Sequence, residues 1–467
     1  EPMVPAHRSL MSLDPLKADQ YDDIRYYAPQ NYALTQAPIG NIRPMVEWEP
    51  MTALFMAVPT YLTGDNYDNA RNTIVQIAAN SATVAEVWLL IEDSAGETNM
   101  TNLMLNAGVS QEVIDTKVKF LNKPFDSVWT IDFGPIPIID MDTDTYALAD
   151  FRYYRERALD DGVPTILGRS LMEIDQPSNT DTYRMPVNSE GDTFMATSDG
   201  YCFTGSGQLY WMSFDQGAPD DTIMSTLTME ELQTHPLAEE VRAVWNQYMG
   251  CKDTIITHSI TDDGTLHLDM YFKVVSDDTV VVGEYVAPFE GEAEVNKARM
   301  DETAAFLASY QKEDGTGFNV KRLIIPGHRS SNAGPTPFTY ANSTIINGLN
   351  LWPAYTFPDW EESRALAESQ WQDAMPDHEH IWIDSEELAF WSGAIHCITR
   401  TIPAKTPGPW VGDGECSEED TCTAPENGYT GACSPNGLTD QVCYGPEWLC
   451  TCNDCESGCT YEPGQSP

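Results

Sequence analysis

Apolar residues along this chain fall into two alternating patterns. Short runs rich in Val, Ile, Leu and Phe, bounded by turn residues, predict strands at 53–58, 87–91, 118–121, 136–139, 253–260, 280–282 and 323–325. Longer stretches with apolar positions three and four apart predict helices at 67–82, 236–249, 293–310 and 360–374. The second of these ends just before Gly250, the residue type that most readily closes a helix. From Glu47 onward a strand–helix–strand unit recurs in pattern, without repeated residues, and this predicts an α/β fold. Ahead of it, prolines at 2, 5, 15, 29, 38 and 44 interrupt any long helix. Residues 1–45 are therefore expected to form an irregular arm. After Pro407-Gly408-Pro409 the composition shifts sharply. The expected division is an arm at 1–45, a catalytic body at 46–405 and a cysteine-rich module at 406–467.

With 467 residues, 42% of them hydrophobic, the chain can bury a large core. It holds no apolar run of about 18 residues, so no transmembrane helix is expected. It opens at Glu1 without a basic segment leading into an apolar one, as expected once a leader has been removed. The formal net charge is −47, and residues 401–467 hold only eleven acids against one lysine, so most of the charge belongs to the body. Such a field disfavours nucleic acid and anionic membranes as partners and draws in cations. Asp140, Asp142 and Asp144 suggest a Ca²⁺ loop, but Thr145 and Phe151 stand where an EF-hand needs Gly and Glu. Cation binding by acidic loops of another kind stays open.

Eight of the eleven cysteines (416, 422, 433, 443, 450, 452, 455 and 459) lie in the last segment. An even number in a stretch rich in Gly, Pro, Ser and Thr reads as a disulfide-stapled module and as an extracellular, secreted protein. The Cys452–Cys455 spacing would also suit zinc, but the segment has no histidine. Of the others, if Cys202 pairs with Cys251, Cys397 remains as a free thiol.

Four islands carry candidate chemistry. They are Trp129-Thr130-Ile131-Asp132, His267-Leu268-Asp269, Tyr340-Ala341-Asn342 and Gly393-Ala394-Ile395-His396-Cys397-Ile398-Thr399. Strand alternation would put His267 and Asp269 on one face. It would turn His396 away from Cys397, which makes His396 structural. Asn342-Ser343-Thr344 also matches a glycosylation acceptor, and a glycan there would exclude a catalytic asparagine.

In this order the islands resemble the bacterial-type peptidylarginine deiminase and agmatine deiminase family of the pentein superfold. The resemblance runs from Trp48-Glu49-Pro50 to Cys397, and the family's glycine-rich segment is matched only loosely by residues 188–192. It implies a pentein-type α/β propeller of pseudo-fivefold ββαβ modules, and hydrolysis of a guanidinium without metal or organic cofactor. A planar cation with a fork of N–H donors needs carboxylates, which Asp132 and Asp269 would supply. Cys397 would attack as a thiolate, activated by the bound cation and a protonated His267. His267 would then serve as acid and base, Asn342 would orient the reacting groups, and Trp129 would pack the substrate's stem. Arg155 and Arg157 resemble the Arg-x-Arg of family members acting on C-terminal arginine, where two guanidinium groups clamp the α-carboxylate. On an extended segment they would share a face. The expected function is therefore release of citrulline and ammonia from C-terminal peptidyl-arginine. Agmatine or free arginine is the alternative substrate, a Cys-His-Asn peptidase the rival enzyme, and a non-catalytic secreted binding protein the rival of another class.

Overall fold

The computed structural model describes residues 37–63, 67–153, 157–262, 264–285, 291–331 and 334–408, and the backbone of five short strands between 421 and 460. Among the described residues, five sheets share one plan. In each, a first strand pairs antiparallel with a second, and the second pairs parallel with a third. A parallel partner cannot be reached by a tight turn, so helices fill every second connection. Ile136–Asp140, Thr145–Arg152 and Thr182–Asn188 form one such unit, around helix Ala158–Arg169. Phe194–Ala196, Tyr201–Gly205 and Asp253–Thr257 form the next, with Pro236–Met249 in the crossover. Phe272–Val274, Thr279–Tyr285 and Asn319–Ile325 follow, then Thr344–Ile346, Leu349–Ala354 and Glu379–Asp384. The fifth closes the chain on itself: Arg400–Pro403 pairs antiparallel with Met51–Ala57, which pairs parallel with Glu86–Ile91.

Strands such as MTALFMA and EVWLLI are almost wholly buried, as expected where both faces of a parallel sheet are covered. Trp48 packs against three of the hydrophobic clusters and so pins units distant in sequence. Gly250 ends its helix at φ 73°, and a Cβ there would stand 2.0 Å from the Ile42 carbonyl oxygen. Only glycine satisfies both demands.

Several expectations need correction. The arm is not irregular to residue 45, because Ile42–Pro44 pairs with Ile136–Asp140 and Arg43 is ion-paired with Glu49. Likewise the body runs past 405, since Thr406–Pro407 pairs with the strand at Thr145. The strand expected at 253–260 stops at Thr257, because the Ser259 N–H is taken by Ser206 Oγ at 2.9 Å. Helix Ala158–Arg169 was missed because Gly162, Pro164 and Gly168 lie inside it. In the acidic turn at 140–144, exposed Asp144 pairs with Lys405 and Asp142 accepts from Asn41 at 3.2 Å. Residues 1–36, and the tail side chains with their expected disulfides, lie outside the described residues. The tail strands form an antiparallel sheet in chain order. No helix among the described residues is long and apolar enough to cross a membrane.

Cys202 and Cys251 are joined across a separation of 49 residues, and Cys397 is free and buried. Closing a loop of that length restricts the unfolded chain and is worth about 2–4 kcal/mol. Replacing both cysteines by alanine should lower the urea midpoint accordingly. An unchanged midpoint would show that the bridge does not stabilise the fold.

Candidate active site

Each of the five units contributes through the segment just ahead of its first strand. These segments are Thr130–Phe133, Gly191–Thr193, Leu268–Met270, residues 340–343 and His396–Ile398. In or beside them stand Asp132, Glu190 with Asp192, His267 with Asp269, Asn342 and Cys397, all at most 1% exposed. Short helical turns carry or adjoin all of them except Asn342, which lies on an irregular segment. His267 caps the turn that carries Asp269, so the two side chains reach different partners instead of sharing a strand face. Asn342 precedes its strand, and His396 lies on a turn with Cys397.

The thiol is held closely. Asn342 Nδ2 donates to Cys397 Sγ at 3.2 Å and to Asp269 Oδ2 at 2.7 Å. Asn342 Oδ1 accepts the backbone N–H groups of His396 and Cys397 at 2.9 and 3.3 Å. Complete burial of Asn342 leaves no place for a glycan. Burial, then the nearby Asp269, push the Cys397 thiol well above its usual range, while a hydrogen bond with His267 works the other way.

His267 lies between two carboxylates, Glu190 Oε2 at 2.5 Å from Nε2 and Asp192 Oδ2 against Nδ1. Burial disfavours its charge, but Asp192 and Glu190 together outweigh that and hold its pKa well above the usual value. His396 is structural in a different sense from the one expected. Its Nδ1 contacts Asp269 Oδ2 and its Nε2 contacts Glu47 Oε1, both at 2.7 Å. Glu47 also takes Lys273 Nζ at 2.6 Å, and despite burial Lys273 and His396 keep it ionised well below the usual carboxylate range.

Trp129 is 5% exposed, and a Cβ on Gly393 would stand 2.2 Å from its ring and 3.2 Å from the Cys397 Cβ. Gly393 thus packs between the indole and Cys397, with no room for a side chain. Tyr153 Oη donates to Asp132 Oδ2 at 3.2 Å and accepts from Arg157 Nη1 at 2.8 Å. Arg157 caps helix Ala158–Arg169 and is not on an extended segment. Arg155 lies outside the described residues. A deeper cluster fixes this corner: Arg184 is paired with Asp161 and Asp150, and Asp161 accepts the Tyr153 N–H at 2.7 Å.

Sequence reasoning passed over Glu190 and Asp192. The signal that could have found them is positional, since both stand directly before a first strand, where the other islands stand. Two overlapping groups could hold a cation, namely Asp132, Asp192 and His267, and Asp192, Asp269 and Cys397, each with ligand atoms within 4.8 Å.

Comparison with known proteins gives a consistent result. The sequence model of the Porphyromonas-type peptidyl-arginine deiminase family matches residues 43–205 and 221–403. The chain belongs to that family. A Vibrio parahaemolyticus protein provisionally named agmatine deiminase is 22% identical over 390 residues, covering 77% of this chain and 96% of its own. The agmatine deiminase of Enterococcus faecalis matches in structure with a TM-score of 0.61 at 16% identity, over 79% of this chain and 99% of its own. A C. jejuni agmatine deiminase with substrate bound gives a TM-score of 0.61 at 16% identity, over 78% and 97%. The fold is an α/β pentein. By family the protein is a hydrolase of guanidino C–N bonds, a deiminase.

The carboxylates around His267 generate a pH prediction. A histidine whose folded pKa is raised stabilises the fold fully below its ordinary value of 6.5, and loses that contribution as pH rises through the folded value. Replacing Glu190 with Gln removes one of the charges that raise it. The alkaline limb of the kcat/KM profile should then move to lower pH. A limb that stays in place would show that His267 does not govern it.

Proposed function

We propose that this deiminase hydrolyses the guanidinium of arginine at a peptide C-terminus, giving citrulline and ammonia, with Cys397 as nucleophile. The observation that carries this reading is the meeting of Cys397, His267, Asn342 and the carboxylates Asp132 and Asp269 in one buried cluster drawn from four units. Asp132 and Asp269 would hold the planar cation by charge-assisted hydrogen bonds. As the cation binds, the Cys397 thiol gives its proton to solvent, the thiolate forms a bond to the central carbon, and the bond from that carbon to one terminal nitrogen breaks. His267 gives its proton to the departing ammonia. Water then adds to the thiouronium carbon and returns a proton to His267. Finally the carbon–sulfur bond breaks as the hydroxyl proton passes to sulfur, leaving the ureido product and the thiol.

Arg157 supports the peptide-terminus reading. Its contact with Tyr153, which bonds Asp132, sets a cation near the site in a chain that has only 25 basic residues against 72 acids. With Arg155 it would grip the α-carboxylate. The second reading, agmatine, draws on the names of the relatives, and agmatine has no carboxylate for Arg157 to meet. We further propose that the five units close into a pseudo-fivefold propeller. Secretion, too, belongs to this reading: disulfides such as Cys202–Cys251 persist in oxidising compartments, and the tail cysteines fit the same setting.

Two measurements test the reading. Cys397→Ala should abolish turnover while keeping the fold, and in the native chain a haloacetamidine should label Cys397 alone. Activity of the alanine variant near the native rate would end the thiol mechanism. For the substrate, citrulline release from a peptide ending in arginine should exceed that from the amidated peptide by about 100-fold, the worth of a bidentate ion pair in a partly dry site. Changing Arg155 and Arg157 to Gln should erase the difference by slowing the good substrate. Turnover of agmatine at the same or a higher rate than the terminal-arginine peptide would favour the second reading.

A further inference from the structure

We infer that Asp192 is a third carboxylate of the guanidinium pocket, which takes the last N–H donor of the substrate and holds the departing nitrogen beside His267. The inference rests on the deiminase reading above and adds a residue to it.

The guanidinium of an arginine side chain carries five N–H groups and no acceptor. Two carboxylates in forked geometry satisfy four of them, two each. In a site from which water is excluded, a fifth N–H left without an acceptor would cost about as much as a broken buried hydrogen bond. Asp132 and Asp269 are the pair, and one donor is left over.

Asp192 meets the requirements for the remaining acceptor. It is fully buried, and its Oδ1 has no hydrogen-bond partner among the described residues. One of its oxygens lies within 4.8 Å of both an Asp132 oxygen and a His267 nitrogen. An Asp192 oxygen also lies within 4.8 Å of an Asp269 oxygen and of Cys397 Sγ. It is the single member common to both groups, so it stands between the two substrate carboxylates, the acid and the nucleophile. Its Oδ2 already contacts His267 Nδ1. A nitrogen drawn to Asp192 is therefore brought next to the ring that must protonate it. Asp132, Asp269 and His267 face Asp192 closely enough to act on its charge. Burial and the two aspartates raise its pKa, and His267 acts in the opposite sense. Without a ligand, this crowding of like charges is unfavourable, and a cation relieves it.

One consequence separates Asp192 from a residue that only supports the fold. Asp192 and Asp269 both disfavour a negative charge on Cys397. The thiol should accordingly react poorly with a neutral reagent and well with one that brings its own cation. The test compares alkylation of Cys397 by chloroacetamidine, which is cationic, and by iodoacetamide, which is neutral, each corrected for its rate with free cysteine. In the native chain the cationic reagent should win by about 100-fold or more, the scale of a few charge-assisted contacts. In Asp192→Asn the ratio should fall at least tenfold, with kcat/KM for the guanidino substrate falling by a similar factor. An unchanged ratio in folded Asp192→Asn would overturn the role of Asp192 alone. A ratio near one in the native chain would overturn the guanidinium reading as well. A crystal structure of Cys397→Ala with bound substrate needs no change at Asp192 and so holds even if that variant fails to fold. An Asp192 oxygen within hydrogen-bond distance of a guanidinium nitrogen is expected, and one facing away from the ligand overturns the proposal.

Discussion

One carboxylate oxygen, Asp269 Oδ2, is where the separate units of this fold meet. It accepts from Asn342 Nδ2 and contacts His396 Nδ1, each at 2.7 Å, and Cys397 Sγ lies 3.8 Å away. Together with Asp269 itself, these groups come from three different entry segments. A buried carboxylate without such partners would be strongly destabilising, and one with them is rigid, because moving any donor leaves charge uncompensated. The arrangement extends outward through His396 to Glu47, and from Glu47 to Lys273 and the Ile345 N–H. Trp48, next in sequence to Glu47, packs against three hydrophobic clusters. Polar and apolar anchoring thus converge on residues 47 and 48, and the thiol inherits its position from them.

This explains why chemistry sits on segments that are neither strand nor long helix. A strand spends its N–H and C=O groups on its neighbours, and its side chains alternate between faces. The short turns ahead of the first strands free backbone groups to serve the site, as the His396 and Cys397 N–H groups do toward Asn342. They also let adjacent residues diverge. His267 turns to Glu190 and Asp192, while Asp269, two residues on, turns to Asn342 and His396. The repeated sheets supply rigid mounts, and the connecting turns supply the aim.

How much was legible beforehand follows from the same distinction. Continuous apolar runs such as residues 86–91 and the well-capped helix Pro236–Met249 could be read directly, because burial on both faces and a terminal glycine leave local marks. The helix at Ala158–Arg169 could not, since Pro164 breaks the pattern that tertiary packing restores. Asp132, His267, Asp269, Asn342 and Cys397 were legible as islands, but their geometry was not. The assumption of strand alternation failed at His267 and His396 because local turns replaced strands. Glu190 and Asp192 were hidden for another reason. Their significance lies in contacts with His267, 77 residues from Glu190, and the loose match of residues 188–192 to the family's glycine-rich segment says nothing of those contacts.

Charge links these observations to activity. A surface field set by −47 formal charges attracts any cationic substrate and would favour agmatine, which has no carboxylate to repel. Long-range attraction is screened within about 8–10 Å at ordinary salt and cannot distinguish one end of a ligand from the other. On the reading proposed above, discrimination would arise in contact, at Arg157 for the backbone end and at buried carboxylates for the guanidinium end. Inside the site the acidic groups Asp132, Glu190, Asp192 and Asp269 crowd around His267 and an uncharged thiol. In the proposed reaction a bound guanidinium would add positive charge beside the thiol, favouring the thiolate as it presents the carbon to be attacked. Under that proposal, the substrate cation offsets the part of the cost of burying these carboxylates that His267, Asn342 and His396 leave uncompensated.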